Sequence, residues 1–313
     1  MSTYLVTGGA GFIGSNIVGE LVRRGEAVRV LDNLSTGHIK NLDPVMQKIQ
    51  WHEADIRNLE GIRTDFEGVN YVIHLAAIPS VPRSVADPLT SNSANIDGTL
   101  NVLLAARDAG VKRVVFAASS SAYGDHPALP RVESQEPRPL SPYALTKLTG
   151  EYYCKIFTQV YGLETVSLRY FNIFGPHQSP DSPYSGVLSL FISAYMNGQT
   201  PTIFGDGEQS RDFTYIENTV DATLRACTAP DAPGRVINVG TGERYTLNEI
   251  IKILDRIFGR QVTPRFDAMR AGDVKHSHAD ISLARKLLGY EPAVTFEDGL
   301  KKTVAWFRSE LTS

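Results

Sequence analysis

The stretch Tyr4-Leu5-Val6-Thr7-Gly8-Gly9-Ala10-Gly11-Phe12-Ile13-Gly14 decides the reading of this chain. Tyr4-Leu5-Val6 is a short continuous apolar run, the pattern of a strand buried on both faces. From Gly14 to about Arg24 the apolar residues recur at helical spacing, so the unit reads as strand, glycine turn, helix. Gly8 permits the tight turn, Gly11 lets a pyrophosphate approach the backbone, and Gly14 lets the helix pack closely. The free N–H groups at the helix start, with the positive end of its dipole, then face an anion.

Outward from this unit the alternation continues. Val28-Arg29-Val30-Leu31, Val72-Ile73-His74-Leu75 and Val114-Val115-Phe116-Ala117 read as further strands, with a helical pattern from Thr99 to Asp108. Continuous apolar strands alternating with helices predict an α/β fold, a doubly wound parallel sheet of Rossmann type covered on both faces. Leu163 to Leu168 and Val236-Ile237-Asn238-Val239 extend it. From about Gly175 the rhythm breaks, with Pro176, Pro180 and Pro183 in a long irregular stretch, as is usual for binding segments. The expected division is a dinucleotide-binding domain of residues 1–175 plus 212–239, with a smaller discontinuous substrate domain of 176–211 plus 240–313.

Composition narrows the partners. The 313 residues carry 31 Lys+Arg against 34 Asp+Glu, so no basic field draws in a nucleic acid backbone. The 2 cysteines, Cys154 and Cys227, lie outside any CxxC pattern, which points to a reducing compartment and no structural zinc. No apolar run approaches the ~18 residues of a membrane span, and the first residues carry no signal-peptide pattern. The expectation is a soluble cytoplasmic protein with no membrane partner. His276 and His278 flank Ser277, but without Cys or carboxylate partners the alternation does not argue for a metal.

The second strand ends in Asp32-Asn33, where a carboxylate accepts hydrogen bonds from an adenosine ribose and repels a 2′-phosphate. With the glycine turn ~20 residues upstream, this predicts NAD as the cofactor. Asp55-Ile56 follows the next strand and is a candidate adenine holder, although an Asp beginning a turn explains it equally well.

Ser141-Pro142-Tyr143-Ala144-Leu145-Thr146-Lys147 opens a helix, with Ser141 as its cap and Pro142 at its first position. Tyr143 and Lys147 then share a face. A tyrosine titrates near ~10, and a nearby ammonium with a positive nicotinamide ring would lower that value toward the range of a useful base. Ser119-Ser120-Ser121 follow the strand 114–118, at the sheet edge where ligands bind. One of these hydroxyls is expected to hold the reacting sugar hydroxyl, and counting along the strand favours Ser120.

TGGAGFIG (7–14), HLAA (74–77), SSSAYGD (119–125), YALTK (143–147), RYFNIFGP (169–176), GDGEQSRDF (205–213) and RAGD (270–273) occur in order along nearly the whole chain. In this arrangement the sequence resembles the extended short-chain dehydrogenases/reductases, specifically nucleotide-sugar 4-epimerases. The resemblance implies catalysis by Tyr143, Lys147 and Ser119 or Ser120. It adds Phe12, Ile13, Ser35, Thr36, Gly37, Leu75, Ala76 and Ala77 to the cofactor contacts. It implies that Asn172, Arg211 and Arg270 hold a nucleotide diphosphate, that Thr202-Ile203-Phe204 lie along the nucleobase and ribose, and that Asp273 meets the ribose hydroxyls. Ser80, Ser121 and Val187 join them around the substrate. Dehydrating relatives carry Asp-Glu after the catalytic hydroxyl, whereas Ala122-Tyr123 stand near that point here, which favours a reaction of hydride and proton transfer alone.

The resemblance also implies that Ser277, four positions after the RAGD aspartate, helps set the room around the sugar C2 substituent, and it is small enough for an N-acetyl group. The resemblance is strongest to bacterial UDP-N-acetylglucosamine 4-epimerases of surface polysaccharide pathways, which implies interconversion of UDP-N-acetylglucosamine and UDP-N-acetylgalactosamine. UDP-glucose and UDP-glucuronate or its N-acetylated relative stand as alternative substrates, and a non-catalytic NAD-sensing protein as a remote one. The apolar helix faces at about 93–108 and 143–160 are candidates for a homodimer interface, or for packing within one subunit.

Overall fold

The computed structural model describes residues 1–178, 186–268 and 274–310. The strands are β1 (Thr3–Thr7), β2 (Ala27–Asp32), β3 (Ile49–Glu53), β4 (Tyr71–His74), β5 (Arg113–Ser119), β6 (Glu164–Tyr170), β7 (Ile173–Phe174), β8 (Thr202–Phe204), β9 (Ser210–Arg211), β10 (Thr214–Tyr215), β11 (Arg235–Val239), β12 (Tyr245–Thr246) and β13 (Arg265–Asp267). The helices are α1 (Phe12–Arg23), α2 (Leu59–Ile62), α3 (Val81–Ala86), α4 (Pro88–Asn92), α5 (Gly98–Asp108), α6 (Pro142–Tyr161), α7 (Val187–Met196), α8 (Ile216–Thr228), α9 (Leu247–Phe258), α10 (Ser282–Leu288) and α11 (Phe296–Glu310). A π-helical turn, Ser93–Asp97, joins α4 to α5.

Seven strands form one parallel sheet in the order β11-β6-β5-β4-β1-β2-β3. The strand alternation splits its side chains between two cores. Val6, Val30, Ile73 and Val115 pack with α1 and α8 on one face, whereas Leu5, Val72, Val114 and Phe116 pack with α5 and α6 on the other. This is the doubly wound Rossmann-type sheet the sequence predicts. Its order reverses between β1 and β4, so the carboxyl ends of those two strands open the crevice that binds ligands in such sheets.

The chain beyond β6 adds three two-stranded pairings, β7 with β10, β8 with β13 and β9 with β12. The irregular reading of 176–211 needs one correction: α7 stands there, because Val187-Leu188-Ser189-Leu190-Phe191-Ile192 is apolar enough to bury one side despite its proline-rich approach. Among the described residues no helix is long and apolar enough to cross a membrane.

Candidate active site

A cavity of about 790 Å³ runs along the carboxyl edge of the sheet. At its centre is the glycine turn. Gly8 has φ +74, and a Cβ there would lie 2.6 Å from the backbone N of Ala76. A Cβ at Gly14 would lie 2.2 Å from the carbonyl oxygen of Gly8, so α1 can start this close to β1 only without one. Gly11 caps α1 with no side-chain hydrogen bond, and Phe12 and Ile13 line the cavity with the helix end directed at it. Gly37 does not line the cavity but supports it, since its α-carbon packs against Ala10 and Gly11.

Asp32 closes one side of this end. Its carboxylate accepts from Ala10 N (3.0 Å) and Leu34 N (2.9 Å), and burial raises its pKa against the pull of those amides. One charged group therefore organises the glycine turn and faces the cavity, with Asn33, Ser35 and Thr36 beside it. Asp55 and Ile56 line the next stretch. Asp55 accepts a bidentate pair from Arg57 and a bond from Asn33 Nδ2 (3.0 Å), which hold its carboxyl down at about 2. It also accepts from Arg57 N, so the turn explanation holds alongside the cavity position.

Leu75, Ala76 and Ala77 form the wall after β4, and a buried polar chain fixes them. Thr99 Oγ1 donates to the Asn95 carbonyl (2.6 Å) and so accepts from His74 Nε2 (3.0 Å). His74 Nδ1 is thereby left to accept from Thr7 Oγ1 (2.7 Å), and Thr7 Oγ1 accepts in turn from Ala76 N. Burial holds His74 neutral, with its pKa lowered to about 3. The motif HLAA pointed to Leu75–Ala77 but gave no sign that its histidine would act from behind them.

Tyr143 and Lys147 stand at the other end of the cavity. Ser141 Oγ caps α6 through Ala144 N (3.1 Å), Pro142 fills the first position, and Ser84 Oγ accepts from Tyr143 N (3.0 Å). Lys147 is buried, and its ammonium donates to the Ala117 carbonyl (2.9 Å). Burial lowers its pKa to about 8. For Tyr143 burial raises the pKa, and a hydrogen bond from Ser119 lowers it in part. The ammonium of Lys147 is turned to a backbone carbonyl, while the hydroxyl of Ser119 is the group that bonds the phenol.

The serine cluster requires a correction. Ser119, not Ser120, lines the cavity beside Tyr143. β5 continues to Ser119, whose side chain leaves the sheet edge toward α6, and Ser120 already belongs to the following 3-10 turn Ser120–Tyr123. Ser121 donates to Ser119 Oγ from both N (3.2 Å) and Oγ (2.9 Å), which directs the Ser119 proton outward to the Tyr143 oxygen.

A second cavity of about 290 Å³ adjoins the first, and both are lined by Asn172, Ile173, Gln178 and Gly186. Asn172 holds a left-handed backbone (φ +33) and donates to the Asp212 carbonyl (2.8 Å). Such strain is stored where the surrounding structure fixes it, often at ligand sites. Val187, Thr202, Phe204 and Arg211 line this second cavity. Arg211 Nη1 donates to the Ser210 and Lys275 carbonyls.

Residues 4–240 match the family described as NAD dependent epimerase/dehydratase. The chain belongs to this family of NAD-dependent enzymes. It is 39% identical over 311 residues to a UDP-glucose 4-epimerase of Mycolicibacterium smegmatis, covering 98% of each. Among solved structures it is similar to a UDP-N-acetylglucosamine 4-epimerase from Methanobrevibacter ruminantium in complex with UDP-N-acetylmuramic acid (TM-score 0.95, 40% identity, 99% of both chains). It is also similar to a UDP-glucose 4-epimerase from Thermotoga maritima with UDP-glucose (TM-score 0.94, 39% identity, 99% of both).

NAD, the cofactor of this epimerase/dehydratase chain, fits the first cavity on the chain's own geometry. The uncapped end of α1 would suit a diphosphate, the Asp32 carboxylate could accept from a ribose, and the Gly8–Gly14 contact leaves no side chain in the way. The remaining sequence expectations divide. Ile203 is buried in the core and lines neither cavity: alternation in β8 turns it inward while Thr202 and Phe204 face out. Ser80 accepts from Arg83 N as the cap of α3 and lines neither cavity. Ser277 pairs through its backbone with Ser210 and Asp212 and also lines neither. Arg270 and Asp273 lie outside the described residues. His276 bonds Ser210 Oγ and His278 bonds the Gly242 carbonyl, so each imidazole has a protein partner. Arg83 and Gln178 line the first cavity without having been read from the sequence.

Proposed function

We propose that this chain interconverts UDP-N-acetylglucosamine and UDP-N-acetylgalactosamine by inverting the sugar's C4 centre. The observation that carries the reading is the joining of two cavities at Asn172, with Tyr143 and Ser119 lining the cofactor-side one and Arg211 lining the other. That arrangement suits a sugar nucleotide whose base and diphosphate occupy the smaller cavity and whose hexose reaches the Tyr143 phenol. Bound NAD would supply a reversible acceptor for the C4 hydride, and inversion would require the 4-keto sugar to turn about its diphosphate linkage.

The chain's residues handle protons and position. Tyr143 Oη takes the 4-OH proton and later restores it. Ser119 Oγ, aimed by Ser121, shares that proton and holds O4. Lys147, anchored on Ala117 O, keeps a positive charge on the cavity wall near Tyr143. Arg211, with Asn172 beside it and Arg270 from outside the described residues, supplies the guanidinium forks that match diphosphate oxygens. The two-domain division at 1–175 plus 212–239 and 176–211 plus 240–313 follows the same split between cofactor and sugar nucleotide.

The N-acetylated substrate is supported by the 40% identity to a UDP-N-acetylglucosamine 4-epimerase. Pure protein is to be incubated separately with UDP-N-acetylglucosamine, UDP-glucose and UDP-glucuronate, and the C4 epimers quantified. Conversion of UDP-N-acetylglucosamine at the highest kcat/KM supports the proposal; conversion of UDP-glucose or the uronate alone replaces it. Tyr143→Phe is expected to lower kcat by about 10²–10⁴, and an unaffected rate removes Tyr143 as the base.

The functional unit we propose is a homodimer. Leu145, Tyr152, Ile156 and Val160 leave an exposed apolar stripe on α6, and Val81, Val85 and Leu89 continue it on α3 and α4. The 93–108 segment contributes less than the sequence suggested, since Val102, Leu103 and Ala106 are spent on the subunit's own core. A second copy covers such a stripe by matching it with itself about a two-fold axis.

A further inference from the structure

Resting on the epimerase reading above, we propose that the buried ion pair between Glu151 and Arg169 is the positioning element that holds the Tyr143 phenol against Ser119. Both residues are 3% exposed. Arg169 Nε and Nη2 donate to Glu151 Oε1 and Oε2 at 2.9 and 2.7 Å, a two-point fork. Glu151 stands four residues beyond Lys147 and eight beyond Tyr143, so the three share one face of α6. Arg169 lies in β6 opposite Ala118 of β5, one residue before Ser119. Its guanidinium also lies 4.5 Å over the Tyr123 ring, in the turn that follows Ser119. Tyr123 is pinned in turn, its hydroxyl donating to Asn238 Oδ1 (2.7 Å).

One guanidinium therefore touches the helix that carries Tyr143 and the turn that follows Ser119. Those two hydroxyls come from different elements, so their separation depends on how α6 seats on the sheet. A buried ion pair is a weak source of stability, because desolvation offsets its attraction and a well-packed apolar pair serves as well. What a bidentate fork provides is a fixed distance and orientation. Lys147 moors α6 to β5 through Ala117 O, and Glu151 moors it one turn further on to β6.

The test compares the wild type with Arg169→Met, Glu151→Leu and the double variant, measuring melting temperature, NAD affinity by calorimetry, kcat and KM, and amide hydrogen exchange in the first turns of α6. Each single variant strands a buried charge and is expected to melt lower. The double variant is expected to recover the wild-type melting temperature and NAD affinity while kcat falls at least about tenfold with KM little changed. Exchange at Tyr143–Lys147 is expected to quicken. Adding Ser119→Ala to the double variant is expected to cost much less than in the wild type, because its contact with Tyr143 is already lost. Wild-type kcat in the double variant, or a full Ser119→Ala effect within it, overturns the proposal. So does a double variant that melts far below the wild type, since the pair is then a stability device. If the wild type epimerises none of the UDP-sugars, the functional reading fails, and the exchange rates still decide the pair: unchanged exchange in α6 overturns it.

Discussion

Ser119→Ala against Ser120→Ala is the sharpest single comparison at this site, because sequence counting and structure assign the working hydroxyl differently. Ser119 Oγ accepts two bonds from Ser121 and so gives its own proton to Tyr143, where it opposes the rise in pKa that burial causes. A hydrogen bond to a charged group contributes about 1.5–3 kcal/mol. Removing it raises the Tyr143 pKa, so less phenolate is present at any pH below it. Ser119→Ala is accordingly expected to lower kcat by about 10- to 100-fold at pH 7 and to move the acid limb of the kcat profile upward. Ser120 lines neither cavity, and Ser120→Ala is expected to stay within about twofold of the wild type. The assay is initial-rate epimerisation of UDP-N-acetylglucosamine from pH 5 to 10 for the three proteins, with NAD affinity as a control. A greater loss in Ser120→Ala, or an acid limb that stays in place in Ser119→Ala, refutes the assignment.

Other consequences follow from the same contacts. The Lys147 pKa falls from 10.5 to about 8 on burial, a cost of about 3 kcal/mol when the ammonium is charged. That cost is fully present below pH 8 and fades toward pH 10.5, so Lys147→Met is expected to raise chemical-denaturation stability most at neutral pH while activity is lost; a gain that grows above pH 10 contradicts this. Asp32→Asn replaces one acceptor oxygen with a donor while Ala10 N and Leu34 N still need acceptors, and calorimetry is expected to show NAD affinity lowered about tenfold or more without a gain for NADP. Gly14→Ala places a Cβ 2.2 Å from the Gly8 oxygen, and the displaced turn is expected to cost about 1–3 kcal/mol of stability by denaturant titration, together with NAD binding. Ile156→Glu in the α6 stripe is expected to convert a dimer to a monomer in sedimentation velocity, and an unchanged sedimentation coefficient refutes that interface.

What the sequence made legible was whatever depends on local order along the chain. The apolar runs at 4–6, 28–31 and 114–117 became central strands because a run apolar on both sides can be buried only within a covered parallel sheet. Tyr143 and Lys147 were legible for the same reason: a four-residue spacing behind a Ser-Pro start fixes a helix face. Counting favoured Ser120 over Ser119 because strand length at a sheet edge depends on the neighbour, and pairing with β6 carries β5 one residue further, to Ser119 opposite Tyr170. Ile203 was misread because a motif of three consecutive residues cannot all face one side of a strand. His74 and Ser84 escaped because their partners are distant in sequence, His74 meeting Thr7 and Thr99, and Ser84 meeting the first turn of α6.

The near-neutral charge of the chain takes its meaning from this geometry. A formal net charge of −3 offers no long-range pull on a ligand bearing several phosphates. Attraction must then be made where the phosphates lie. At the glycine turn of the first cavity the donors are backbone, the uncapped start of α1, and Asp32 beside it is turned to accept from the amides of Ala10 and Leu34. At the second cavity the cation is a side chain, Arg211, held by the Ser210 and Lys275 carbonyls, and Arg57 and Arg83 stand on the wall of the first. The division has a measurable consequence. Dipole-based binding of NAD at close range is weakly screened, whereas an arginine clamp near the surface is screened by salt. Raising ionic strength from about 0.05 to 0.5 M is therefore expected to increase KM for the UDP-sugar several-fold while NAD affinity changes by less than about twofold. Equal losses for both ligands refute the assignment of helix-end binding to one and arginine binding to the other.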